Sequence, residues 1–147
     1  MLDTRRRLFG VKLLAILLLV TTLAAQQQPT VSLVAIISNP ERYDEKELVV
    51  SGFLYLQREY PALYIGKADF QHAQFKNAIY LSMTSHVFER SYALNGCYVV
   101  VKGRFDAKNT GHLNAFSGAL SVAQVTAVWK STVPKADTDA SDPAACK

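Results

Sequence analysis

Between Leu48 and Leu56 the side chains divide between two faces, with Leu48, Val50, Leu54 and Leu56 on one and Val49, Ser51, Phe53 and Tyr55 on the other, and Gly52 interrupts the first face. Alternation with a period of two marks a strand with one face against a core. A glycine in such a strand marks a bulge or a tight bend, which is how a long strand coils around a small barrel. Cys97 to Phe105 repeats the device, carrying Val99, Val100 and Val101 and then Gly103. The echo between Val49-Val50-Ser51-Gly52-Phe53 and Val100-Val101-Lys102-Gly103-Arg104-Phe105 reflects one geometric demand met twice, not an internal repeat.

The other segments fit around these two strands. Ala62 to Ile65 follows Tyr60-Pro61 and ends at Gly66, and Ala78 to Met83 forms a third strand. Lys67 to Lys76 is polar apart from Phe70 and Phe75, which predicts a loop or one helical turn. Residues 84 to 94 lack strand alternation and stop at Asn95-Gly96, so a short helix is expected there. After a polar loop from Asp106 to His112 come Ala115 to Leu120 and Val122 to Trp129, either two strands or one with a break near Ser121. Val31 to Ser38 reads as a short helix capped by Ser32, stopped by Asn39-Pro40 and packed as a lid. The expected class is all-β with short helices: a five-stranded barrel preceded by a short N-terminal helix, spanning residues 31 to 130.

The two ends differ from this core. Arg5, Arg6, Arg7 and Lys12 precede an apolar run from Leu13 to Val20 and the small residues Ala24 and Ala25, the layout of a secretory signal over residues 1 to 24. The run falls short of the roughly 20 apolar residues needed to cross a bilayer, so no membrane span is expected once the signal is cut. The Thr-Arg-Arg-Arg-Leu-Phe opening has a twin-arginine flavour, but the apolar core is of the general secretory type. No cysteine follows the run to carry a lipid. Cleavage after Ala24 leaves a junction at 25 to 30 before the barrel, and a polar tail occupies 131 to 147. The expected location is periplasmic or secreted.

Charge decides against one class of partner. The chain carries a formal +4, but Arg5, Arg6, Arg7 and Lys12 against Asp3 put +3 of it in the signal, leaving +1 on the mature protein. Phosphate binding needs clustered cations that release counterions, so nucleic acid is an unfavoured partner. In an oxidising compartment Cys97 and Cys146 either close one bridge that tethers the tail or remain a strand residue and a tail residue apart.

Asn39-Pro40-Glu41-Arg42-Tyr43-Asp44-Glu45-Lys46 followed by Val49-Val50-Ser51-Gly52-Phe53 resembles the opening of exported bacterial proteins built on the oligonucleotide/oligosaccharide-binding barrel, a family whose activity is uncharacterised. The usual opening has glycine where this chain has Glu45, which implies a differently shaped turn. The resemblance implies ligand contacts on the second and third barrel strands and on the loops joining strands one to two and four to five. These places hold Arg58, Tyr60, Tyr64 and Tyr80, and the loop residues Asp106, Lys108, Asn109 and His112.

No other constellation competes. His72, His86 and His112 lack ligand spacing, no Gly-x-Ser-x-Gly elbow occurs, and the acids Glu41, Asp44, Glu45 and Glu47 read as a solvated turn. No metal, cofactor or catalytic residue is expected. The sequence points to an exported, non-enzymatic module that holds a protein partner or a small polar ligand with a barrel face and the 106–112 loop. The alternative is single-stranded nucleic acid or an oligosaccharide on the face of strands two and three. Mass spectrometry of the exported protein should find an N-terminus at Ala25; a mature chain that still carries Leu13 to Val20 would mean an uncleaved anchor.

Overall fold

The computed structural model describes residues 30–127. The expected signal, almost all of the expected junction, the expected tail and Cys146 lie outside the described residues. Six strands run through the rest: β1 (Thr30–Ser32), β2 (Glu47–Tyr55), β3 (Ala62–Tyr64), β4 (Ala78–Ser82), β5 (Tyr98–Asp106) and β6 (Ala119–Ala127). Four short helices join them: α1 (Leu33–Ser38), α2 (Pro40–Tyr43), α3 (Lys67–Gln71) and α4 (Ser85–Ser91). Among the described residues, no helix is long and apolar enough to cross a membrane.

Strand pairing closes a ring. β2 pairs antiparallel with β5 through Glu47–Phe53 and with β3 through Phe53–Tyr55, β3 pairs antiparallel with β4, and β5 pairs antiparallel with β6. The parallel pairing of β4 with β6, Tyr80 opposite Ala119 through Ser82 opposite Ser121, completes the circuit. This is a closed five-stranded barrel of the oligonucleotide/oligosaccharide-binding type, with β1 added in parallel against Val49–Ser51.

The alternation in β2 has the expected consequence. Leu48, Val50, Leu54 and Leu56 enter the main core with Val99, Val101, Phe105, Leu63, Ile79, Leu81 and Leu120. Leu33 and Ile36, three apart on α1, put one side of that helix into the same core, and α1 packs against β2 and β4 as the lid.

Both strand glycines are required by close approach. Gly52 lies where β2 exchanges β1 for β3 along one edge, and a Cβ there would sit 2.6 Å from the carbonyl oxygen of Tyr64. At Gly103 the β5–β6 register shifts, and a Cβ would sit 2.3 Å from the carbonyl oxygen of Ser121. The shift leaves Ala123 without an opposite residue, since Lys102 faces Gln124 and Gly103 faces Val122. The last β segment is therefore one strand with a bulge at Ala123, not a pair broken near Ser121. Ala115 to Gly118 are not strand; Phe116 in that stretch is buried.

Two further expectations are corrected at the N-terminal end. Val31 belongs to β1, so the helix begins at Leu33, with Ser32 at the cap position but making no side-chain cap hydrogen bond. Pro40 ends α1 by opening α2 as its first residue, a position where its fixed φ and missing N–H cost nothing. The turn before β2 is not reshaped by Glu45: that residue takes φ 63°, the left-handed conformation a glycine would adopt. Pairing with β5 holds it there. The Glu45 N–H donates to the Phe105 carbonyl at 2.9 Å, the Phe105 N–H donates to the Lys46 carbonyl at 3.0 Å, and the Glu45 carboxylate pairs with Arg104. Because that ion pair is more than half exposed, its contribution is small, at most about 1 kcal/mol.

Glu45→Gly should therefore leave the melting temperature unchanged or raise it, because left-handed strain of about 1–2 kcal/mol is relieved as the ion pair is lost. Glu45→Val, β-branched at the same φ, should destabilise by more than about 1 kcal/mol in urea unfolding. Equal losses from both would assign the stability to the carboxylate.

Candidate functional site

The outer face of β2, β3 and β4 carries large and small side chains in a chequered pattern. Register places Phe53 beside Tyr64 and Tyr64 beside Ala78, while Tyr55 lies beside Ala62 and Ala62 beside Tyr80. The two alanines leave hollows between the rings. Into this surface descend Phe70 from α3 and Phe116 from the β5–β6 connection, forming a second apolar cluster with Phe53, Ala62, Tyr64 and Ala78. Phe70 lies 4.1 Å from Tyr55, 5.9 Å from Phe53 and 5.6 Å from Tyr64 between ring centroids. Phe116 lies 5.8 Å from both Tyr80 and Phe75.

Polar contacts fix α3 and the segment after it in this place. The Asn77 amide donates to Asp69 at 2.6 Å, the Gln74 N–H donates to the Asp69 carbonyl at 2.8 Å, and the Lys67 N–H donates to the Tyr98 hydroxyl at 3.2 Å. Ala73 adopts φ 53° to make the turn that follows α3. Lys76 donates from Nζ to the carbonyls of Asn114 and Phe116, and Ser117 donates from its hydroxyl to the Lys76 carbonyl, tying the β3–β4 and β5–β6 connections together.

A pocket of about 260 Å³ remains beside Phe70, lined by Tyr55, Gln57, Tyr60, Tyr64, Phe70, Ala73 and Phe75. Tyr60 also meets His112 edge-on at 4.8 Å, so the pocket wall and the β5–β6 connection touch through that pair. A wider cleft of about 390 Å³ lies between the β2–β3 connection and α4, with Arg58, Tyr80, Leu81, Met83, Phe88 and Glu89 among its walls.

The residues singled out from the sequence thus separate into three places. Tyr60 and Tyr64 line the aromatic pocket, Arg58 and Tyr80 line the cleft, and Asp106, Lys108, Asn109 and His112 lie along the loop. Tyr64 is only 2% exposed, so it forms the floor of the pocket rather than an open stacking surface. Within the loop, Asp106 accepts from the Lys108 and Asn109 N–H groups, and Asn109 accepts from the Gly111 N–H. Those two side chains shape the turn. Lys108 and His112 remain exposed.

The acids before β2 also acquire a neighbour. Carboxylate oxygens of Asp44, Glu45 and Asp106 lie within 4.8 Å of one another, but Asp44 accepts from the Ala107 N–H, Asp106 from the loop, and Glu45 pairs with Arg104. Cys97 is buried immediately before β5; the expected bridge to Cys146 involves a residue outside those described.

Reading the sequence alone missed Tyr55, Gln57, Phe70, Ala73 and Phe75 as pocket residues. The available signal was two phenylalanines inside an otherwise polar connection, side chains that such a segment has no reason to carry unless it lies against an apolar surface.

Burial raises the Tyr64 hydroxyl above the usual tyrosine pKa, and the neighbouring Tyr55 adds to the effect. The unfolded chain releases this proton near pH 10 and the folded chain later, so between the two the unfolded state binds fewer protons and stability falls as pH rises. Tyr64→Phe should flatten the loss of stability above about pH 10, measured by urea unfolding across alkaline pH; an unchanged slope would place the ionisation elsewhere.

No protein-family model and no curated protein matches the chain. Among solved structures, an assigned aspartyl-tRNA synthetase from Leishmania major Friedlin is similar at 12% identity and TM-score 0.46, over 72% of this chain and 22% of that one. The chain therefore spans about a fifth of the synthetase's length. The protein described as OBody AM3L15 bound to hen egg-white lysozyme is similar at 16% identity and TM-score 0.40, over 65% of this chain and 88% of that chain.

Proposed function

We propose that this protein is an exported, non-catalytic binding module that takes one compact group of a small polar ligand into the aromatic pocket, with the 106–112 loop beside its rim. The observation that carries this reading is the position of Tyr60, which lines the pocket and packs its ring against His112 of that loop. A volume of about 260 Å³ lies below the range of roughly 300–1,000 Å³ that accommodates drug-sized ligands. It suits a single headgroup with the remainder of the molecule outside. No carboxylate, histidine or cysteine lines the pocket to act as acid, base or nucleophile. Export is supported by residues 1 to 25 of the sequence.

A strand of nucleic acid fits this surface poorly. Stacking successive bases needs several open ring faces, whereas Phe53 and Tyr64 are buried at 4% and 2% exposure, with Phe70 packed on both.

Native mass spectrometry of the protein isolated from its own envelope tests the proposal. The wild type should carry a small molecule, and Gln57→Trp, which fills the pocket from an exposed position, should lose it with unchanged circular dichroism. Tyr60→Ala should weaken retention by about tenfold or more, equivalent to about 1.4 kcal/mol. A small molecule retained by both variants would remove the pocket from the reading. Recovery of a polypeptide instead, lost on Lys108→Ala, would replace the small ligand by a protein partner.

A further inference from the structure

We infer that the group received by the aromatic pocket is a fully alkylated ammonium, a quaternary nitrogen with its methyl groups. The inference rests on the binding reading above and deepens it by naming the ligand class. Its basis is the combination of ring geometry, absence of charged walls and a lining made mainly of aromatic rings at one pocket.

Ring orientation sets the shape of the guest. Tyr55 and Phe70 lie 4.1 Å apart at 31°, packed against each other, so no flat ring enters between them. Tyr64 stands at 70° to Phe70. Tyr60 and Phe75, contributed from other segments, complete an aromatic lining in which Tyr55, Tyr64 and Phe70 do not share one plane. A flat base or sugar ring is best served by a parallel surface; a globular group is served by surfaces turned in different directions.

Wall chemistry then sets its charge. No Asp, Glu, Lys or Arg lines the pocket, so a charged group finds no ion pair there. Ring faces are negative and repel an anion, but they attract a cation within about 6 Å of the centroid, most strongly when water is excluded. A primary ammonium is served less well, since its three N–H groups need three converging acceptors, and the lining offers only the Gln57 amide, whose oxygen already accepts from the Tyr55 hydroxyl at 3.4 Å, and tyrosine hydroxyls. A sugar, whose hydroxyls require several convergent polar partners, is likewise served less well by a lining made mainly of rings. A quaternary nitrogen has no N–H to satisfy and spreads its charge over methyl groups that fit against the rings.

The test compares choline with 3,3-dimethylbutan-1-ol, the neutral compound of nearly the same shape, titrated into the purified mature protein and followed by proton NMR and calorimetry. Choline should bind about tenfold or more tightly than the neutral compound, and its N-methyl resonance should move upfield as the rings enclose it. Tyr60→Phe should retain binding within about threefold and Tyr60→Leu should lose about tenfold, because the attraction belongs to the ring face. Equal affinity for the two probes would overturn the inference, leaving a pocket that is merely apolar. Choline binding untouched by Gln57→Trp would overturn it by placing the cation elsewhere. Failure of both probes, with a native small molecule still lost on Gln57→Trp, would overturn the ammonium while leaving the binding reading intact. If Gln57→Trp also leaves the native molecule bound, the binding reading fails as well.

Discussion

A five-stranded barrel can close only if its long strands bend sharply, and here the bend depends on backbone packed against backbone. Gly52 admits the carbonyl of Tyr64, and Gly103 admits the carbonyl of Ser121, at distances that any Cβ would forbid. From the first contact follows the approach of β3 to β2; from the second follows the bulge at Ala123 that lets β6 follow β5 around the curve. The inward rows of Leu, Val and Ile fill what those contacts enclose. Burial of such side chains at about 1.5–3 kcal/mol each supplies the favourable energy, but only a closed ring gives them a common interior.

Closure has a second effect, on the outside. Bending the sheet brings the outer residues of β2, β3 and β4 together as a surface of rings and alanines too apolar to leave in water. The β3–β4 connection covers it with Phe70, and the β5–β6 connection covers it with Phe116. Cover is incomplete, and the remaining space is the pocket. The candidate site is therefore a by-product of how a small barrel hides its outer aromatic face, sharpened by the hydrogen bonds that hold α3 and Lys76 in position.

The barrel was legible because its determinants are local. Alternation in β2, the valine run of β5, the Asn95-Gly96 turn and the helix over residues 84 to 94 each report themselves within about ten residues. What was not legible depends on partners distant in sequence. Glu45 takes a glycine's backbone conformation because Arg104 and Phe105 hold it. Ala115 to Gly118 looks like strand, yet Phe116 is taken by Tyr80 and Phe75 instead. The site was half visible: Tyr60 and Tyr64 stand out by type, but Phe70 and Phe75 acquire meaning only once the chain places them above β2 and β3. Asp106 and Asn109 were conspicuous for their polarity, which the loop uses on its own backbone.

The separation between barrel and cover bears on how such a protein can change. Phe70, Ala73 and Phe75 come from one connection whose anchors are a few polar contacts and rings on the outer face. None of them belongs to the main core that closes the barrel. Exchange of that single connection would remodel the pocket's shape and chemistry while the ring of strands beneath it stayed as it is. Ala62 and Ala78, small and buried, act as sockets for whatever side chains the new cover brings. The ring of strands can thus keep its fold while the surface laid over it diverges.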